Sequence, residues 1–400
     1  MNILKIGLVP QILIGVAAGA VFGVIVPDLA DKLGLLGLLF VGMLKAVAPL
    51  LVMVLVMSAI ANKHETGHDG RKTLATILLY LVGTVSAALV ALLLSQLFPQ
   101  TIALTEVAQG SPPVAVSSVL VDVLFKLIDN PVNALLEGNF LGCLTWAILL
   151  GVSFRQASDS FKAHLQTVAD GVSNIVHYVI RLAPLGIFGL VCYTVATVGL
   201  TALAGYASLA TLLVAAMLVM ALVVNPALVY VITGSNPYPI VFKCLEESGI
   251  TAFFTRSSAA NIPVNLNLAR KLGISEELYT VTIPIGATVN MSGAAITITV
   301  LTLAAANTLG TEVSFFTALL LCVIAALSAC GASGVPSGSL LLVPLACSLF
   351  GIPLDVAMQV VAVGFIISVI QDSTETALNS STDVVFTYAV DQWGRQREGR

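Results

Sequence analysis

Residues 371–383 read QDSTETALNSSTD and place three carboxylates, Asp372, Glu375 and Asp383, among amide and hydroxyl side chains. The flanking runs are apolar, VAVGFIISVI before and VVFTYAV after, so this polar stretch lies inside what reads as one long membrane helix. At about 100° per residue, Asp372, Thr376, Asn379 and Asp383 follow an i, i+4, i+7, i+11 pattern and share one helix face, with Glu375 at its edge. An ionised group at the bilayer centre costs about 3 kcal/mol or more, so such a strip must face protein or a water-filled cavity. Two chemistries suit it: a site for a polar solute and cations, or a buried polar network that locks this helix to its neighbours. Two aspartates and a glutamate exceed what one network needs, which favours the first.

The whole composition fits a membrane setting. Of 400 residues, 58% are hydrophobic and 10% charged, against about 25% charged in soluble domains. The net charge of −4 offers no basic footprint, so no nucleic-acid partner is expected. The six Cys mostly lie in apolar segments without metal-site pairing, and the four His form no HExxH. Ser333 and Ser337, in GASG and GVPSG, make weak nucleophile patterns without a His or Lys at recognisable spacing. The chain therefore does not read as an enzyme.

The elements that position the strip come in two styles. Ordinary spans are expected at Leu4–Val26, Leu35–Ala61, Thr73–Phe98, Phe140–Phe154, Phe161–Leu200 and Leu203–Ile232. The first resembles a signal peptide, but its apolar run continues to Val26, so it reads as a retained helix. A charged loop, Lys63–Lys72, and a long connection, Pro99–Asn139, interrupt the series. Lys and Arg gather at the N-terminus, on alternate connections and at the C-terminus, with Lys32 and Lys126 on the opposite side. Both termini are therefore expected in the cytoplasm, at the plasma membrane or bacterial inner membrane, with an even number of crossings.

After residue 236 the pattern changes. Ile240–Phe254 and Ala260–Leu272 are each too short to span and flank TRSSAA, which reads as a re-entrant hairpin. Leu278–Leu309 could span but is interrupted at Gly286–Ala294, GATVNMSGA. Val313–Cys330 and Ser339–Phe350 flank GASGVPSG, a second hairpin. The polar strip follows in the last span, Ile352–Val390. Interrupted segments in matching positions are the sequence mark of a transporter site between inverted repeats. Irregular backbone at membrane depth survives only where it is buried or lines a cavity.

TRSSAANIPV, GATVNMSGA, GASGVPSG and DSTETALNSSTD, in this order, resemble the four signature motifs of the dicarboxylate/amino acid:cation symporter family, which includes the glutamate transporters. The similarity covers nearly the whole chain and is greatest to the sodium/serine–threonine branch. It implies an all-α polytopic membrane protein with eight transmembrane helices, two re-entrant helical hairpins and inverted repeats. It also implies a homotrimer in the lipid bilayer. By that resemblance residues 1–72 hold scaffold helices one and two, and 73–98 helix three of a mobile transport unit. Residues 99–202 hold an extracellular connection and scaffold helices four and five; 203–236 hold helix six of the transport unit. The first hairpin is 237–275, the broken seventh helix 276–312, the second hairpin 313–351, and the eighth helix with its cytoplasmic tail 352–400.

The resemblance also implies roles. Asp372 would hold a substrate ammonium, and Asn379, Ser258 and the Ser257–Ala259 backbone its α-carboxylate, since free N–H groups at a helix start suit an anion. Thr376 would lie near the substrate side chain, with Val335 and Pro336 in a lid. Na+ is the expected coupling ion. Asp383, Asn379, Asn290 and the Gly286 carbonyl resemble a central sodium site. Carbonyls of Thr288, Met291 and Ala329–Gly331 would form a second.

Two departures from the family pattern matter. Members that carry acidic substrates have an Arg where this chain has Glu375, so a small neutral amino acid is expected, serine or threonine first. Glu375 could accept a hydrogen bond from a substrate hydroxyl or amide; alternatively, Arg256 neutralises it across the site. An acidic amino acid or C4-dicarboxylate, coupled to sodium or protons, is the alternative substrate. Second, Ser292 and Ala294 replace the usual Asp and Thr of the broken-helix motif, and Gly83 falls between Tyr80 and Thr84 where a hydroxyl residue is usual. An extra sodium site should be lost and fewer ions carried per cycle.

Overall fold

The computed structural model describes residues 7–62, 70–104, 125–330 and 337–398; they are helical, with no strand among them. Two groups of helices pack separately and meet along a seam. The first group is α1 (Leu8–Ile25), α2 (Ala30–Ala61), α4 (Pro131–Leu136), α5 (Phe140–Phe154), α6 (Asp159–Arg181) and α7 (Ala183–Val198). Here α3 denotes Gly70–Leu97, which belongs to the second group.

Small residues set the spacing within the first group. A Cβ built on Gly15, Gly19 or Gly23 would fall 2.5 to 2.6 Å from the carbonyl oxygens of Pro184, Phe188 and Cys192. Glycine at every fourth position of α1 thus lets two backbones approach, the usual way helices associate where lipid removes the hydrophobic drive. The second α-helix is met edge-on by the second group through Phe40 and Phe365, whose ring centroids are 5.3 Å apart.

The expected fifth span is not one helix. α6 and α7 meet at a 48° bend. Pro184 supplies no N–H there and crowds the preceding turn. Among the described residues, five helices are long and apolar enough to cross a bilayer, six if this bent pair counts as one span. Shorter apolar helices, Pro10–Ile25 and Phe140–Phe154, stand where spans one and four were expected.

The second group holds the interrupted elements. α8 (Thr201–Val219) runs through a π turn, Met220–Val224, into α9 (Asn225–Thr233). The first hairpin is α10 (Tyr238–Cys244), a second π turn at Leu245–Gly249, α11 (Ile250–Thr255) and α12 (Ser258–Lys271). The broken helix is α13 (Glu276–Val289) and α14 (Ser292–Thr308). Its break is confined to Asn290 and Met291, narrower than the GATVNMSGA run suggests, because Gly286 and Ala287 still close helical turns.

The second hairpin's first arm is α15 (Phe315–Ala329). Its second arm departs from a single helix: 3-10 turns at Gly338–Leu342 and Ser348–Phe350 flank one short helix, α16 (Val343–Cys347). Pro344 at the start of α16 removes a donor that a continuous helix would need. The tip residues Val335 and Pro336 lie outside the described residues.

The last helix, α17 (Leu354–Glu398), runs the length of the second group and continues past Val390, where the last span was expected to end. Helices α3, α8, α11, α12, α13 and α14 all pack on it. Every residue from Ser292 to Ala306 of α14 is buried, so the polar strip of α17 faces protein rather than lipid.

Candidate solute and cation site

The strip is buried along its whole length. Asp372, Glu375, Thr376, Asn379 and Asp383 are between 1% and 6% exposed. Its polar atoms meet the two hairpin ends and the helix break, and three clusters result.

The first cluster is at the hairpin tips. Arg256 ends α11 and donates from Nε to Asp372 Oδ2 at 2.6 Å and from Nη2 to Ser337 Oγ at 3.2 Å. The Ser337 N–H donates to the other carboxylate oxygen, Oδ1, at 2.9 Å. Arg256 therefore pairs with Asp372, not with Glu375. On the first hairpin, Ser257 caps α12 by accepting from the Ala260 N–H at 3.2 Å, and Ser258 is buried in the first turn. The Thr376 hydroxyl donates to the Asp372 carbonyl at 2.8 Å, within its own helix.

The second cluster surrounds Glu375. Its Oε2 accepts from Gln371 Nε2 at 2.6 Å, Thr297 Oγ1 at 2.7 Å and Ser339 Oγ at 2.8 Å. Three donors on one oxygen suit a carboxylate, which is acceptor-only when ionised. Gly293 makes room for it: a Cβ there would fall 2.8 Å from Glu375 Cα and 2.9 Å from Cγ. Thr297, Ser339 and Gln371 were not picked out from sequence as site residues. A lone hydroxyl or amide within an apolar helix was the signal available.

The third cluster lies at the helix break. Asn290 donates from Nδ2 to Asp383 Oδ1 at 2.9 Å and to the Asn379 carbonyl at 3.1 Å. Asn379 Oδ1 accepts the Gly293 N–H at 2.7 Å, and its Nδ2 rests 3.4 Å from Met291 Sδ. Asp383 Oδ2 and Asn290 Oδ1 are buried without a hydrogen-bond partner among the described residues. Gly286 closes the other side, where a Cβ would fall 2.6 Å from Asp383 Oδ1 and 3.0 Å from the Tyr80 hydroxyl. Two unpartnered acceptor oxygens, one from a carboxyl group, with a backbone held close by glycine, are the kind of donors a hard monovalent cation takes.

The C-terminal end of α15, in the second hairpin, also reaches the break. Cys330 Sγ donates to the Val289 carbonyl at 3.4 Å, one residue before the break at Asn290. Gly331 lies outside the described residues. The Thr288 hydroxyl is turned to its own helix, donating to the Ile285 carbonyl at 3.0 Å.

Behind the first hairpin runs a polar seam that sequence reading missed. Asn261 and Asn265 donate to Ser380 Oγ at 2.8 and 3.1 Å, and Asn261 also reaches Ser248 Oγ at 3.0 Å. These residues fix α12 and the π turn onto α17.

The family model for the sodium:dicarboxylate symporter family matches residues 8–393. The chain belongs to this family. Its members are transporters, not enzymes, and sodium is the coupling ion that the family implies. The symporter is accordingly a multi-pass membrane protein that couples movement of a dicarboxylate or amino acid to sodium. In the symporter, the acid groups, Arg256 and Ser337 of the two hairpins, and the helix break converge on one buried face of α17.

Proposed function

We propose that this symporter imports small neutral L-amino acids, serine and threonine first, with sodium. The observation that supports this most directly is the setting of Glu375. The position holds a carboxyl group addressed by three donors, and no described ion pair gives it a cation. The nearby guanidinium is committed to Asp372 and Ser337. A second carboxylate on the substrate would meet a buried carboxylate there, at a cost of several kcal/mol in low dielectric. A hydroxyl adds no charge.

In this reading Asp372 holds the substrate ammonium, while Asn379, Ser258 and the Ser257–Ala259 backbone hold its carboxylate. Thr376 lies near the side chain, and Val335 and Pro336 belong to the lid. Sodium is taken by Asp383, Asn379, Asn290 and Gly286, with a second ion at the carbonyls of Thr288, Met291 and Ala329–Gly331. The unpartnered oxygens of Asp383 and Asn290 support the first of these. Each net charge moved inward through 100 mV supplies about 2.3 kcal/mol, roughly fifty-fold of concentration.

An extra sodium site at Tyr80, Gly83 and Thr84 is lost in this reading. The Tyr80 hydroxyl lies 3.1 Å from the Asp383 carbonyl and 3.0 Å from Thr387 Oγ1, and the Thr84 hydroxyl donates to the Tyr80 carbonyl at 2.8 Å. The first helix group acts as scaffold, the second as transport unit, with both termini cytoplasmic in a plasma or bacterial inner membrane. The assembly is a homotrimer, which a mass measurement in detergent checks.

The deciding experiment is uptake of labelled L-serine into proteoliposomes with and without a sodium gradient. Uptake should require sodium and be competed by L-threonine, not by L-aspartate or a C4-dicarboxylate. Strongest competition by L-aspartate overturns the reading in favour of an acidic substrate.

A further inference from the structure

Trp393 carries two arginines from two different helices. The guanidinium carbon of Arg397, one turn further along α17, lies 4.4 Å from the centroid of its ring system. That of Arg71, in the first turn of α3, lies 5.9 Å from it. The indole is half-buried and both arginines are exposed. Gly394 lets α3 come alongside, since a Cβ there would run into Lys72 Cε. Arg395, between the two, is occupied otherwise: it pairs with the buried Asp391 at 2.8 Å and donates to the Gly273 carbonyl. No carboxylate among the described residues pairs with Arg71 or Arg397.

Both helices leave the apolar layer at this level. Residues 73–97 hold no charged side chain, and Arg71 and Lys72 come immediately before them. Residues 384–390 hold none either, and Asp391 follows at once. A tryptophan with basic neighbours at the end of such runs stands at the membrane–water boundary. On the orientation proposed above, this is the cytoplasmic leaflet, where anionic lipids attract basic segments.

Stacking on an aromatic face orients a guanidinium without using its N–H donors, which lie in its own plane and point outward. Two such forks held on one ring repel each other, and a shared anion relieves that repulsion. Phosphodiesters are the anions present at this depth.

We propose that Arg71, Trp393 and Arg397 form a site for the headgroup of an anionic phospholipid. The indole lies against the interfacial part of the lipid, and the two guanidiniums take its phosphodiester. A zwitterionic headgroup offers the same phosphate but brings a cation of its own, which two arginines disfavour. The site therefore selects lipids of net negative charge. This rests on the membrane placement of the symporter and not on its substrate.

The chain has two tryptophans, so Trp146→Phe leaves Trp393 as the single indole reporter. The full-length variant is placed in mixed bilayers of phosphatidylglycerol and phosphatidylcholine, with one lipid or the other brominated on its acyl chains. Quenching of Trp393 by each lipid gives their relative occupancy. Phosphatidylglycerol should be preferred by at least about tenfold. In the Arg71→Gln/Arg397→Gln double variant the preference should fall to within about twofold. A melting temperature within about 3 °C of the reporter protein shows that the double variant is folded.

Equal quenching by the two lipids overturns the proposal, whether in the reporter protein or in the unaltered protein with Trp146 as a constant background. So does a preference that survives the double variant, which general attraction to the bilayer surface would give. Loss of the preference on adding millimolar glycerol phosphate would assign the arginines to a soluble phosphate ester and also overturn the lipid site.

Discussion

The ring of Phe386 fills the space beside Gly83: a Cβ built on that glycine would fall 2.6 Å from Phe386 Cε2. α3 and α17 are thereby held together by an aromatic edge where a hydroxyl ligand would otherwise stand. Gly83→Thr should not create a sodium site. It should overpack the contact, lowering stability by about 1–3 kcal/mol. The check is a melting temperature in detergent together with the sodium dependence of uptake. A steeper sodium dependence in this single variant would contradict the packing argument.

Asp383 is 1% exposed, with one oxygen held by Asn290 and the other without a hydrogen-bond partner among the described residues. A buried carboxylate so placed opposes folding until a cation joins it. Asp383→Asn should leave the sodium-free protein as stable or more so, by up to about 3 kcal/mol. The variant should also lose the rise in melting temperature that sodium gives the unaltered protein. Equal stabilisation by sodium in both proteins would remove Asp383 from the ion's ligands.

Glu375 is held by donors alone, so reversing its charge is not a simple exchange of specificity. In Glu375→Arg a guanidinium would face the donors of Gln371, Thr297 and Ser339. The expected result is loss of serine uptake without gain of aspartate uptake, and destabilisation of about 3 kcal/mol or more. Glu375→Gln keeps an acceptor oxygen and should be milder, costing about 1–2 kcal/mol. Uptake assays with both amino acids, paired with melting curves, separate the two effects.

Lys45 Nζ donates to Asp355 Oδ1 at 2.5 Å, tying α2 to the first turn of α17 across the seam between the two helix groups. The pair is partly exposed, at 41% and 78% for its side chains, so it contributes at most about 1 kcal/mol and weakens with salt. If the groups move past each other during transport, Lys45→Met should change turnover by up to about fivefold while leaving serine affinity within about twofold. The double variant with Asp355→Asn should match the single one. Turnover and competition measurements in proteoliposomes check both.

Much of the architecture was legible in the sequence because it rests on local properties. Apolar run length marks what can cross a bilayer, and short arms around TRSSAA and GASGVPSG mark what cannot. The breaks in α13–α14 and between the hairpin arms fall where Gly, Ser, Asn and Pro gather. The bend at Pro184 and the uneven second arm of hairpin two escaped a reading based on run length, because both depend on where a missing N–H leaves the chain.

By itself the sequence determined that the chain lives in a membrane, that its C-terminal part holds interrupted apolar segments too short to cross one, and that an acid strip runs down one face of the last helix. Those follow from hydropathy and a 3.6-residue period, which act within a single segment. Which groups meet was decided only by the tertiary structure. Arg256 is placed on Asp372, 116 residues away, rather than on Glu375 three residues further along. Thr297 reaches Glu375 across 78 residues, and Phe386 closes the space at Gly83. Such pairings depend on how separate helices are placed and rotated against one another. That is set by close packing of whole surfaces, and no periodicity within one helix encodes it.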